Sequence, residues 1–126
     1  MIRNVISTGD APAAIGPYSQ GIVCGDLIFC AGQIPLDPAT GNLIVGDSLA
    51  EARRVVENME AVLEAGGSGV DKVVRLDVYL TDLGLFPEVN AYLEQVFKKE
   101  PPARVTIGVS ALPMGARIEM AAIATR

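Results

Sequence analysis

The stretch from Asp47 to Leu80, DSLAEARRVVENMEAVLEAGGSGVDKVVRLDVYL, changes its apolar period partway along, and that change decides the fold. In its first half Leu49, Ala52, Val55, Val56, Met59, Val62 and Leu63 recur three and four residues apart, the spacing of one buried helix face. Asp47 or Ser48 supplies the N-cap oxygen, and Gly66-Gly67 ends the helix, as glycine does just past a C-terminus. From Val73 the period drops to two. Val73, Arg75, Asp77 and Tyr79 fall on one face and Val74, Leu76, Val78 and Leu80 on the other, the pattern of a strand.

Upstream, Asn4 to Ser7, Ser19 to Cys24 and Leu27 to Gly32 read as strands, the last two flanking a Gly25-Asp26 hairpin turn. Thr8 to Pro17 is a loop, and Asp37-Pro38-Ala39-Thr40-Gly41 is a second turn. Downstream, Asp82 and Pro87 mark the start of a second helix with the stripe Phe86, Val89, Tyr92, Leu93, Val96 and Phe97, stopped by Glu100-Pro101-Pro102. Arg104 to Ala111 and Ala116 to Thr125 close the chain as strands, joined across Leu112-Pro113-Met114-Gly115. The order predicts a single α+β domain over residues 1–126: a mixed sheet of about six strands with two helices packed on one face. The other face is left to bury itself against a partner.

Composition narrows the function classes. Half of the residues are hydrophobic and the mean hydropathy is +0.36, yet no uncharged apolar run approaches the roughly 20 residues of a membrane span. The excess apolar surface is expected to meet another subunit. A net charge of −5 argues against nucleic acid as the principal partner, since phosphate binding relies on clustered Lys and Arg. The first residues lack the long apolar segment of a secretory signal, which points to the cytoplasm. Cys24 and Cys30, in the hairpin register above, lie about 10 Å apart along the ladder at a rise near 3.4 Å, too far for a disulfide. With no histidine in the chain, two cysteines do not complete a zinc site.

Two charges interrupt otherwise apolar strands. Arg104 follows Pro101-Pro102-Ala103 and opens the run Val105 to Val109, and Glu119 stands between Ile118 and Met120. A guanidinium binds a carboxylate bidentately, and a glutamate in apolar surroundings has its pKa raised toward the range useful for acid and base work. The ordinary alternatives are an exposed arginine at a strand start and an outward-facing charge in a half-exposed strand. Asn90 lies on the second helix near Phe86 and Leu93, as a site residue or as a structural amide. Gly32 ends a strand where its bare backbone admits a ligand, or where a β-bulge needs it.

In order along the chain stand Ala14-Ile15-Gly16-Pro17-Tyr18-Ser19-Gln20, Gly32-Gln33-Ile34-Pro35, Asp37-Pro38 and Thr40-Gly41, then Asn58, Leu63 and Gly66. Val78-Tyr79-Leu80-Thr81-Asp82, Phe86, Asn90, Tyr92, Phe97, Pro102-Ala103-Arg104, Leu112-Pro113 and Glu119 before Ala122-Ile123-Ala124 complete the series. Nearly end to end, this resembles the RidA (YjgF) family of enamine/imine deaminases.

The resemblance implies a chorismate-mutase-like fold assembled as a homotrimer around a central barrel, with sites in the clefts between subunits. It implies hydrolysis of 2-aminoacrylate and 2-aminocrotonate to 2-keto acids and ammonia, without a cofactor. Carried over, Arg104 is the carboxylate anchor and Glu119 the water-activating residue. Tyr18 of a neighbouring subunit forms a wall, Gly32 and Thr106 offer backbone groups, and Asn90 stands at the rim. Ala31 and Thr106 replace a serine and a cysteine of many members, which bears on substrate preference. A different class of reading is a non-catalytic module that senses small carboxylates and regulates a partner protein. RNA cleavage, an older association of the family, fits poorly with the acidic balance and the lack of histidine.

Overall fold

A computed structural model describes residues 2–126. Its elements are β1 (Arg3–Ile6), β2 (Gly21–Cys24), β3 (Leu27–Gln33), α1 (Ser48–Ala65), β4 (Val73–Leu80), α2 (Phe86–Val96), β5 (Ala103–Gly108) and β6 (Ile118–Thr125). They form one six-stranded sheet in the order β1-β2-β3-β6-β4-β5, so the last strand of the chain lies in the middle. All pairings are antiparallel except β4 with β5, which are joined through α2 and run parallel. That single parallel pair makes the sheet mixed.

The hairpin register is the expected one, Gly21 opposite Cys30 and Cys24 opposite Leu27, so the two thiols sit at different rungs. Asp47 is the N-cap of α1, its Oδ1 accepting from Leu49 N at 3.0 Å and Ala50 N at 3.3 Å. The inward face of α1 carries Ala52, Val55, Val56, Met59, Val62 and Leu63, packed on Ile28, Leu76, Val78, Ile118 and Met120 of the sheet. Each Val, Leu, Ile or Met side chain among them contributes about 1.5–3 kcal/mol by leaving water. Phe86, Tyr92, Val96 and Phe97 of the second helical stripe are partly buried at the edge of this core, and Val89 and Leu93 lie inside it.

Two sequence expectations are corrected. Leu49 is exposed, because a helix that starts after Asp47 turns Ser48, Glu51 and Ala52 inward and its second residue out. In β4, Val73 opposes Ala124 while Arg75 opposes Ile123, so two residues of β4 span one of β6. This bulge leaves Val74 exposed and puts Val73 on the same inner face as Leu76, breaking strict alternation at the start of the strand.

Both helices cover one face of the sheet. On the uncovered face Val5, Ile22, Phe29 and Ile123 form one row across β1, β2, β3 and β6, with Leu27, Val105 and Ile107 also presented there.

Candidate active site

Glu119 is placed by strand period alone. Ile118 and Met120 are fully buried beneath the helices, so Glu119 points to the uncovered face. It lines a cavity of about 440 Å³ together with Tyr18, Gly32, Gln33, Ile34, Leu36 and Met114. Burial there pushes the Glu119 carboxyl above its ordinary 4.5, and no ion pair offsets that among the described residues. Gly32 lies in an irregular stretch of β3, where Cys30 opposes Ala122 and Gln33 opposes Met120. The bulge offered as the ordinary reading of this glycine is therefore present. The same position also faces the carboxylate: a Cβ on Gly32 would stand 2.2 Å from Glu119 Oε2.

The cavity walls are loops that buried amides hold in place. Gln20 receives Thr8 N at 2.7 Å and donates to Thr8 O at 3.0 Å and Pro12 O at 2.8 Å, fixing the loop that precedes β2. Asn58 of α1 donates to Ile34 O at 3.2 Å and Leu36 O at 2.8 Å, fixing the segment after β3. Sequence reasoning assigned neither amide a role. A glutamine and an asparagine among apolar neighbours were the available signal, since buried amides need partners. The phenol of Tyr18 accepts from Ile15 N at 3.2 Å.

Arg104 lies elsewhere. It opposes Leu76, hence points to the helix side of edge strand β5, with β4 between it and β6. Its Nη1 donates to Asn90 Oδ1 at 2.7 Å, and its guanidinium carbon sits 5.4 Å from the Phe86 ring centroid, a cation–π approach. The Asn90 amide in turn donates to Glu94 Oε1 at 3.4 Å, which turns its oxygen toward Arg104. Arg104, Asn90, Glu94, Lys98 and Pro102 line a second cavity of about 520 Å³. Thr106, two residues on, has a buried Oγ1 without a hydrogen-bond partner.

Within one chain, then, Tyr18, Gly32 and Glu119 come together, and so do Arg104 and Asn90. The two groups occupy opposite faces of the sheet. Among the described residues no cluster of His, Cys, Asp and Glu fits a metal ion, and no helix is long and apolar enough to cross a membrane.

Such a molecule is a small α+β domain that holds a desolvated carboxylate in a cavity and a braced guanidinium at a sheet edge. The family described as Endoribonuclease L-PSP matches residues 8–126, and the chain belongs to this YjgF/RidA family. Its chorismate-mutase-like architecture is shared by solved Rid-family structures. Protein DfrA of Myxococcus xanthus is 50% identical over 126 residues, covering 98% of this chain and 96% of that one. The human 2-iminobutanoate/2-iminopropanoate deaminase is 44% identical over 124 residues, covering 98% and 90%. Escherichia coli TdcF, solved with bound serine, superposes with a TM-score of 0.91 at 37% identity, covering 98% of each chain.

Proposed function

We propose that this protein hydrolyses small 2-imino acids, and the enamines in equilibrium with them, to 2-keto acids and ammonia. The observation that carries the reading is the Glu119 carboxylate: half-buried, unpaired, above its ordinary pKa and seated against the bare backbone of Gly32. A pure anion-binding site gains nothing from such a group. Proton abstraction from water does, because a base is most effective when its pKa lies near the working pH.

The site forms between copies of the chain. A homotrimer covers the apolar uncovered faces and sets the Arg104 group of one copy against the Tyr18, Gly32 and Glu119 group of the next. Arg104, braced by Phe86 and Asn90, anchors the substrate carboxylate through two parallel hydrogen bonds. Glu119 takes a proton from water as its oxygen bonds to C2, and the C2–N double bond becomes single. Glu119 returns that proton to the nitrogen and then relays to it the proton of the new hydroxyl; the C–N bond breaks as the C2–O bond becomes double, leaving a 2-keto acid and ammonia. One such carboxylate contributes roughly 10² to 10⁴ in rate, enough for a substrate that hydrolyses unaided. The deaminase name of the human relative and the serine in TdcF both support a small α-amino-acid-like ligand. The family's endoribonuclease description finds little support in an acidic chain without histidine.

The test couples a pyridoxal-phosphate serine or threonine dehydratase to this protein and follows 2-keto acid release, with Arg104→Ala and Glu119→Gln alongside. Acceleration by the native protein and its loss in both variants, with the mass of a trimer in each, is expected. No acceleration by a correctly assembled protein refutes the reading and leaves the small-carboxylate sensor in its place.

A further inference from the structure

Among the described residues, Met114 is the one non-glycine residue with a left-handed backbone, at φ 58°, and Gly115 after it is left-handed too, at φ 74°. An unbranched L-residue is disfavoured in this region, whereas glycine adopts it freely. The turn between Leu112 and Ala116 thus keeps a side chain where its own geometry favours none. That side chain is 59% exposed, so core packing does not retain it. It instead lines the cavity that holds Glu119. Outliers of this kind persist where the surroundings or the function require them.

The same cavity is walled by Ile15, Ile34, Leu36 and Pro113, and its volume is about 440 Å³. Cavities of roughly 300–1,000 Å³ accommodate ligands well beyond a three-carbon acid. An acid anchored by its carboxylate at Arg104, with C2 near Glu119, has only its side chain left to fill this apolar space. A methionine at the mouth suits that contact, being flexible and polarizable. Resting on the deaminase reading of the site, we propose that Met114 is a specificity-determining residue, its thioether forming the wall for the apolar side chain of longer 2-imino acids.

Met114→Gly separates this role from a structural one, since glycine relieves the left-handed strain while removing the wall. The assay compares 2-iminohexanoate with 2-iminopropanoate, each generated in situ by an amino-acid oxidase. The ratio of their kcat/KM values is expected to fall about tenfold or more in Met114→Gly, the scale of a lost hydrophobic wall contact. The thermal midpoint should stay level or rise, and the mass should be that of the native assembly. Met114→Leu, which restores an apolar side chain, should recover most of the ratio. An unchanged ratio overturns the proposal. So does a variant that loses activity on both substrates equally or comes apart, because Met114 would then serve assembly. A parallel titration with the stable 2-ketohexanoate and 2-ketopropanoate reads the same selectivity without catalysis. If the native protein hydrolyses neither imine yet binds the longer keto acid more tightly, and loses that preference in Met114→Gly, the deaminase reading fails and the role of Met114 stands. If neither keto acid binds, the role of Met114 fails as well.

Discussion

Gly32→Ala is the most incisive single change available. The backbone at Gly32 is not left-handed, so alanine can adopt it, and the whole effect falls on the neighbouring carboxylate. The new Cβ would lie 2.2 Å from Glu119 Oε2 and 2.9 Å from Glu119 Cδ, against an ordinary contact of 3.4 Å. Oε2 must therefore retreat by 3.4 − 2.2 = 1.2 Å. A misplacement of about 1 Å costs roughly 10² in rate for a group that must meet its water in one geometry. Folding should be little disturbed: replacing glycine at a compatible site stabilises by about 0.4–1 kcal/mol through the unfolded chain, offsetting the local crowding. The measurement is 2-keto acid release in the coupled assay, with the urea midpoint beside it. The expected result is a loss of roughly 10² in kcat at near-native stability. A Gly32→Ala protein with full activity would refute the placement of Glu119 as the proton-transfer group.

Four further outcomes follow from the structure. Asn90→Ala should raise KM about fivefold by freeing Arg104 of one hydrogen bond, and Asn90→Asp should raise it further by pairing the guanidinium with a permanent carboxylate; steady-state kinetics distinguishes them from the reverse order expected of a merely structural amide. Because burial lifts the Glu119 carboxyl above 4.5, kcat/KM should rise with pH through an inflection above that value, and Glu119→Gln should abolish the limb. The native state holds this proton more tightly than the unfolded chain, so the stability linked to it is present below 4.5 and lost as pH climbs through the raised value; Glu119→Gln should thus have the higher urea midpoint at neutral pH. Glu51, 1% exposed, is paired with Arg117, so Arg117→Met strands a buried charge and should cost about 3 kcal/mol by urea unfolding, while adding Glu51→Leu should restore most of it.

Much of the architecture was legible because periodicity acts locally. The three-and-four spacing of α1 and the alternation of β6 each required only that one side of an element meet apolar neighbours, and both elements stand where the pattern put them. Leu49 and Val74 escaped because each turns on a boundary. The N-cap at Asp47 sets the rotation of α1, and a bulge at the start of β4 shifts the first residue of the strand. No hydropathy pattern encodes either. At the site, residue types marked Arg104 and Glu119, but the roles of Gln20 and Asn58 lay in hydrogen bonds to loop backbone that no apolar period marks, and Met114 is singled out by a backbone angle.

By itself, then, the sequence determined the helices, the strands, the turn chemistry and the class of charge on offer, since these follow from side-chain size, period and propensity within a dozen residues. Tertiary structure alone decided that β6 lies between β3 and β4, and that β5 pairs with β4 in the register that sets Arg104 beside Leu76, on the side of the sheet opposite Glu119. Strand order and face are settled by which apolar surface the helices cover, a long-range competition among alternative packings that local pattern leaves open.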